Sequence, residues 1–141
     1  MYIGLDLGTE TIGVATSDGL RSIATAVETI RRKKFTADVT RILAIASGRN
    51  AVGLVLGLPL NMDGTEGPRA QSTRAFARNL ERLTPLPIAF WDERRSTVAA
   101  ERALLAADMS RKRRAEGIDS VAATYILQGL LDRLNHMERD A

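Results

Sequence analysis

The chain has 141 residues, 45% of them hydrophobic and 26% charged, with a formal net charge of +3. That is enough for one ordinary domain with a real core, and the balance excludes wholesale disorder. The absence of cysteine excludes a disulfide framework and a thiolate metal site, and no apolar run nears the ~18 residues of a membrane span.

The first predicted strand opens the chain at Tyr2 and carries Ile3, Leu5 and Leu7 on one face, with Tyr2, Gly4, Asp6 and Gly8 on the other. It begins at once, with neither a basic leader nor a long apolar segment before it, which predicts a cytoplasmic protein that needs no membrane. Gly8 to Thr11 is short enough for a hairpin loop, Ile12 to Ser17 reads as a second strand, and Asp18-Gly19 turns the chain toward a third at Ala24 to Ile30. Val39, Ile42, Leu43 and Ile45 recur at helical spacing within Thr36 to Ser47, and Gly48 ends that helix. Ala51 to Leu58 is a near-continuous apolar run, the pattern of a strand buried on both faces.

Pro59 to Arg69 is rich in turn residues and opens a helix over about 69–83; a strand from Pro87 to Trp91 then runs into Asp92-Glu93-Arg94-Arg95. A helix is predicted from about Ser96, a basic loop over Met109 to Gly117, and a last helix from Ile118 to about Met137. There is no internal repeat and no linker, so residues 1–141 read as a single domain. The order βββ-α-β-α-β-α-α predicts an α/β fold: a mixed five-stranded sheet, three strands antiparallel and then parallel strands through right-handed crossovers, with helices on both faces.

Acids are the first candidate chemistry. Asp6 alone reads equally well as a turn residue, but in such a sheet it converges with the Asp92-Glu93 pair at the end of the last strand. Asp119 lies three, four and seven residues before Ala122, Ala123 and Ile126, on the apolar stripe of the last helix, where the competing role is a first-turn dipole partner. Close carboxylates repel, and a divalent cation relieves that; hard oxygen ligands select Mg2+ or Mn2+. The only histidine, His136, sits among charges near the end, so neither a histidine metal site nor a Ser-His-Asp triad is supported. Two metals ~3.5–4 Å apart serve phosphodiester hydrolysis.

Basic and glycine-rich segments are the second. Arginine outnumbers lysine 17 to 3, which suits two-point phosphate contacts or simply reflects codon bias. In GLPLNMDGTEGPRAQ, 57–71, three glycines permit close approach, Asn61 both donates and accepts, and Arg69 stands at a helix start, all suited to holding a phosphate; an ordinary surface loop has the same composition. Arg74, Arg78 and Arg82 form a stripe along the following helix, readable as a nucleic-acid contact or a solvated face. Arg94 in the DERR block and the run Arg111, Lys112, Arg113, Arg114 just before Asp119 are further candidates for backbone contact. Trp91 reads as a base-stacking platform or as core.

The pieces GLDLGTETIGVATSD, GLPLNMDGTEGPRA, DERRST and IDSVAATYILQ, in this order and spacing, resemble the YqgF/RuvX family of the RNase H-like superfamily over nearly the whole chain. The resemblance implies an RNase H-like fold and two-metal phosphodiester hydrolysis, with the active-site acids on Asp6, the DER block, where Glu93 is favoured over Asp92, and Asp119. Descriptions of that family alternate between maturation of the 5′ end of pre-16S ribosomal RNA and Holliday junction resolution. Thr11 and Arg95 depart from it, since many members have Arg and an apolar residue there.

The first expectation is therefore a Mg2+- or Mn2+-dependent endonuclease acting on pre-rRNA, with a ribosomal subunit as a possible partner, or on branched DNA. A four-way junction is two-fold symmetric and calls for a homodimer; the RNA reading is compatible with a monomer. The competing classes are an actin-like ATP-binding module, for which GLDLGTET resembles a phosphate hairpin but 141 residues supply only one lobe, and an RNA-binding protein without catalysis.

Overall fold

The computed structural model describes residues 1–95 and the backbone of 111–140, with side chains of that last stretch placed from 121 to 137. Five strands form one sheet in the order β3-β2-β1-β4-β5. Strands β1 (Tyr2–Leu7), β2 (Thr11–Ser17) and β3 (Ala24–Arg31) are antiparallel neighbours, while β4 (Gly53–Leu58) runs parallel to β1 and β5 (Ile88–Asp92) parallel to β4. The helices are α1 (Phe35–Gly48), α2 (Pro68–Glu81) and α3 (Arg111–Asp140). No helix among the described residues is long and apolar enough to cross a membrane.

Alternation sorts the strand residues into two cores. Ile3 and Leu5 of β1, with Ile12, Val14, Leu54 and Leu56, pack under α1 and α2 through Val39, Ile42, Phe76 and Leu80. The opposite face offers mostly small groups, and there Ala15 and Val55 meet Ala123, Ile126, Leu127 and Leu131 of α3. α3 lies very close to β1: a Cβ added to Gly4 would stand 2.8 Å from the Leu127 Cβ and 3.1 Å from the Ala123 carbonyl oxygen. Only glycine admits that approach. All six residues of β4 are buried, as a parallel strand covered on both faces requires.

The predicted strands and the first two helices are present within a few residues of the expected ends. Residues 111–117 are helical, not the predicted basic loop, and they join the final helix without a break. Arg, Lys, Ala and Glu are strong helix formers, and one glycine, Gly117, costs only about 1 kcal/mol within a helix. The helix predicted from about Ser96 lies outside the described residues.

Candidate active site

Because β1, β4 and β5 run parallel, their carboxyl ends share one edge of the sheet. Asp6 is the last residue but one of β1, 3% exposed, with its Oδ2 oxygen fully buried. Alternation with Leu5 puts it on the α3 face, like Gly4. Its cross-strand partner on β2 is Gly13, and on the other side the register Leu5–Leu56 brings Gly57 next to it. The carboxylate thus has a bare glycine on each neighbouring strand.

Gly57 is also the meeting point for the second acid. It pairs with Trp91 of β5, and two residues later Glu93 opens a short 3-10 turn, Glu93–Arg95. A Cβ added to Gly57 would stand 2.8 Å from Glu93 Oε1 and would collide with Ile126 Cδ1 of α3. Glu93 therefore reaches over Gly57 from one side while Asp6 flanks it from the other, and Ile126 roofs the spot. Asp119 lies on α3 two turns before Ile126, and its side chain is outside the described residues.

Asp92 faces a different task. Its Oδ1 accepts the Arg94 backbone N–H at 2.9 Å and its Oδ2 accepts Arg94 Nη2 at 2.8 Å. Hydrogen bonds from that guanidinium hold the Asp92 carboxyl below the usual carboxylate range and raise the arginine in turn. Arg94 Nη1 also donates to the Met62 carbonyl at 3.3 Å, tying the end of β5 to the loop after β4. Glu93 meets the Gly57 floor and Asp92 braces a loop, the opposite directions that successive residues near a strand end take.

The proposed contacts to nucleic acid divide similarly. Asn61 stiffens its own loop: its backbone N–H donates to the Thr65 carbonyl at 2.9 Å, its Nδ2 donates to Thr65 Oγ1 at 3.0 Å, and Gly64 takes a left-handed φ of 89°. Arg74 is held by Glu66 at 2.6 Å and lies 4.9 Å from the Phe90 ring centre. Arg69 is exposed, with Nη2 donating to the Leu7 carbonyl at 3.3 Å. Arg111, Lys112, Arg113 and Arg114 are helical, and their side chains lie outside the described residues. Trp91 takes the core role, packed beneath α3 against Gly129.

Two features were missed from the sequence. One is the glycine floor, for Gly13 and Gly57 acquire meaning only through strand register. The other is Arg32, whose Nη1 donates to the Gly8 carbonyl at 2.6 Å. The hairpin rule held its signal, because antiparallel pairing of β2 and β3 returns the residue after Arg31 to the Gly8–Thr11 loop.

The acids expected as donors, Asp6, Glu93 and Asp119, are all carboxylates, a chemistry that would fit a hard divalent cation such as Mg2+ or Mn2+ and not a zinc-type site. Among the described residues no three acidic or histidine side chains form a complete cage by themselves. His136 is exposed near the far end of α3.

A match to the family described as "RuvX: Holliday junction resolvase" runs over residues 1–133. A "Putative pre-16S rRNA nuclease" from Paracoccus denitrificans is 74% identical over 136 residues, 96% of this chain and 86% of that one. A protein of the same description from Rhodopseudomonas palustris is 67% identical over 137 residues, 97% of this chain and 86% of that one. Among solved structures, the Thermus thermophilus RuvC bound to a Holliday junction substrate superposes with a TM-score of 0.56 at 8% identity over 95% of both chains, which establishes the RNase H-like fold.

Proposed function

The chain belongs to the YqgF/RuvX family, and from that premise we propose that residues 1–141 form one metal-dependent endonuclease domain that processes the 5′ end of pre-16S rRNA in the cytoplasm. The observation that carries this reading is the approach of Glu93 Oε1 to Gly57, the strand neighbour of Asp6. Two carboxylates brought to one glycine repel each other and would repel a phosphodiester as well. Asp6, Glu93 and Asp119 are the residues that would hold Mg2+ or Mn2+; when bound, such ions neutralise charge at the scissile phosphate and lower the pKa of water.

The chain's own contribution is placement. β1 holds Asp6 on a rigid strand in a buried setting, and the bare Gly57 beside it leaves room for Glu93 to come in from the end of β5. Asp92 and Arg94 keep the loop after β4 against the end of β5, which restricts where Glu93 can stand. Exposed arginines beside this edge, Arg69 among them, and the basic start of α3 would take the nucleic-acid backbone. The RNA substrate is favoured because close relatives carry that description; a ribosomal subunit presenting the RNA is a natural partner.

The test is cleavage in Mn2+ or Mg2+ of a 5′-extended pre-16S RNA fragment and of a four-way DNA junction, with wild type and Asp6→Asn side by side. RNA cutting that disappears in Asp6→Asn, with binding retained, is the expected result. Cutting of the junction alone would replace the RNA reading with junction resolution by a homodimer. No cutting of either, with the metals screened, would overturn intrinsic nuclease activity.

A further inference from the structure

A second cleft, of about 230 Å3, opens at the end of β1 on the side facing α2. Gly8, Thr9, Arg32, Arg69, Ser72 and Phe76 line it. Leu7, the residue after Asp6, also borders this cleft, so the two sites lie back to back across the end of one strand. The two arginines come from distant points in the chain and are tethered to successive carbonyls: Arg69 Nη2 donates to Leu7 and Arg32 Nη1 to Gly8. Arg32 also lies 5.8 Å from the centre of the Phe76 ring.

Neither guanidinium enters an ion pair among the described residues; the pairs there use Arg41, Arg74 and Arg94. A guanidinium has five N–H donors, and a single backbone bond to each leaves most of them for something else. Two cations held beside one cleft repel each other unless an anion joins them. The first turn of α2, which carries no acidic residue, adds the partial positive charge of its backbone N–H groups, and the hydroxyls of Thr9 and Ser72 add neutral donors. Phe76, 6% exposed and with Arg32 over its ring, offers little open face for a stacked base.

We propose that this cleft is a subsite for one backbone phosphate of the nucleic-acid strand that passes Asp6, gripped between Arg32 and Arg69. The proposal rests on the nuclease reading and deepens it. Contacts confined to phosphate and made by two guanidinium forks set register along the strand without reading its sequence. The grip would fix the distance between a held phosphate and the one presented to Asp6 and Glu93.

The experiment is fluorescence anisotropy in EDTA, where cleavage does not intervene, on the 5′-extended pre-16S RNA fragment and on the four-way junction across a range of NaCl. Arg32→Gln and Arg69→Gln keep a donor for the Gly8 and Leu7 carbonyls while removing charge. Each is expected to weaken binding about tenfold and to lower the slope of log K against log salt by about 1, and the double variant to lose little further slope because one phosphate is shared. Arg32→Lys and Arg69→Lys should keep most of the slope. Equal losses in the Gln and Lys variants with an unchanged slope would mean a distorted turn and would overturn the subsite. Wild-type affinity and slope in both Gln variants would overturn the subsite alone, whereas a wild type that binds neither nucleic acid, in EDTA or with Mg2+ added, would overturn the nuclease reading with it.

Discussion

Asp6 is legible from the sequence as an acid between two glycines on an apolar strand, but its surroundings are not. Gly4 and Gly8 stand two residues to either side of it in sequence; Gly13 and Gly57 are its neighbours across the sheet, and they follow from register. Gly57 yields the sharpest prediction at this scale. In Gly57→Ala the new Cβ must displace Glu93 Oε1, 2.8 Å away, and the Ile126 side chain. Overpacking of this kind costs about 1–3 kcal/mol, so the melting temperature should fall. Cleavage should drop at least tenfold per folded molecule, with nucleic-acid affinity close to wild type. A Gly57→Ala enzyme with full kcat would show that Glu93 does not need the space above that glycine. The difference between Asp92 and Glu93 also belongs here: adjacent acids look alike in sequence, whereas in the fold Asp92 is bonded to Arg94 and Glu93 approaches Gly57.

Among the elements, α3 shows where local pattern succeeds and where it fails. Ala122, Ala123, Ile126 and Leu127 announce an apolar stripe, and those residues are buried against the sheet. The basic run before it looks like a loop by charge, yet its residues are good helix formers and the helix extends through them. Gly129 reverses a general rule. In a helix interior Ala outranks Gly by about 1 kcal/mol, but here a Cβ would stand 2.7 Å from Trp91 Cζ2 and 2.9 Å from its Nε1. The partly buried indole packs against the core beneath α3, and shifting it gives up those contacts, so the overpacking cost of about 1–3 kcal/mol outweighs the propensity gain. Gly129→Ala should therefore lower the melting temperature by thermal unfolding; a rise would mean that Trp91 moves freely.

For the whole molecule, the arrangement joins two cores through one sheet, and the acids from β1 and from the turn after β5 meet at its carboxyl edge. That proximity exists in the folded state and not in an open chain. A cation held by both should therefore stabilise the fold. With free Mn2+ at about 100 times its dissociation constant, the gain is about 2.7 kcal/mol, a rise of several degrees in melting temperature. Wild type should show it in a calorimetric titration and Asp6→Asn should not. Equal shifts in both proteins would place the ion elsewhere.

By itself the sequence determined the five strands, the first two helices, their order and the sheet class, because these rest on short-range signals: alternation in β1, the continuous apolar run of β4, helical spacing in α1 and the turn residues between them. It also supplied the acids as a set of candidates, since carboxylates on apolar faces stand out against their background. What only the tertiary structure decided was adjacency across strands. Register turned Gly57 into a floor between Asp6 and Glu93, and antiparallel pairing carried Arg32 back to the Gly8 loop opposite Arg69. Such contacts join residues 24 to 62 positions apart, and no local periodicity encodes them because they arise from hydrogen-bond pairing between strands and the packing of helices upon the sheet.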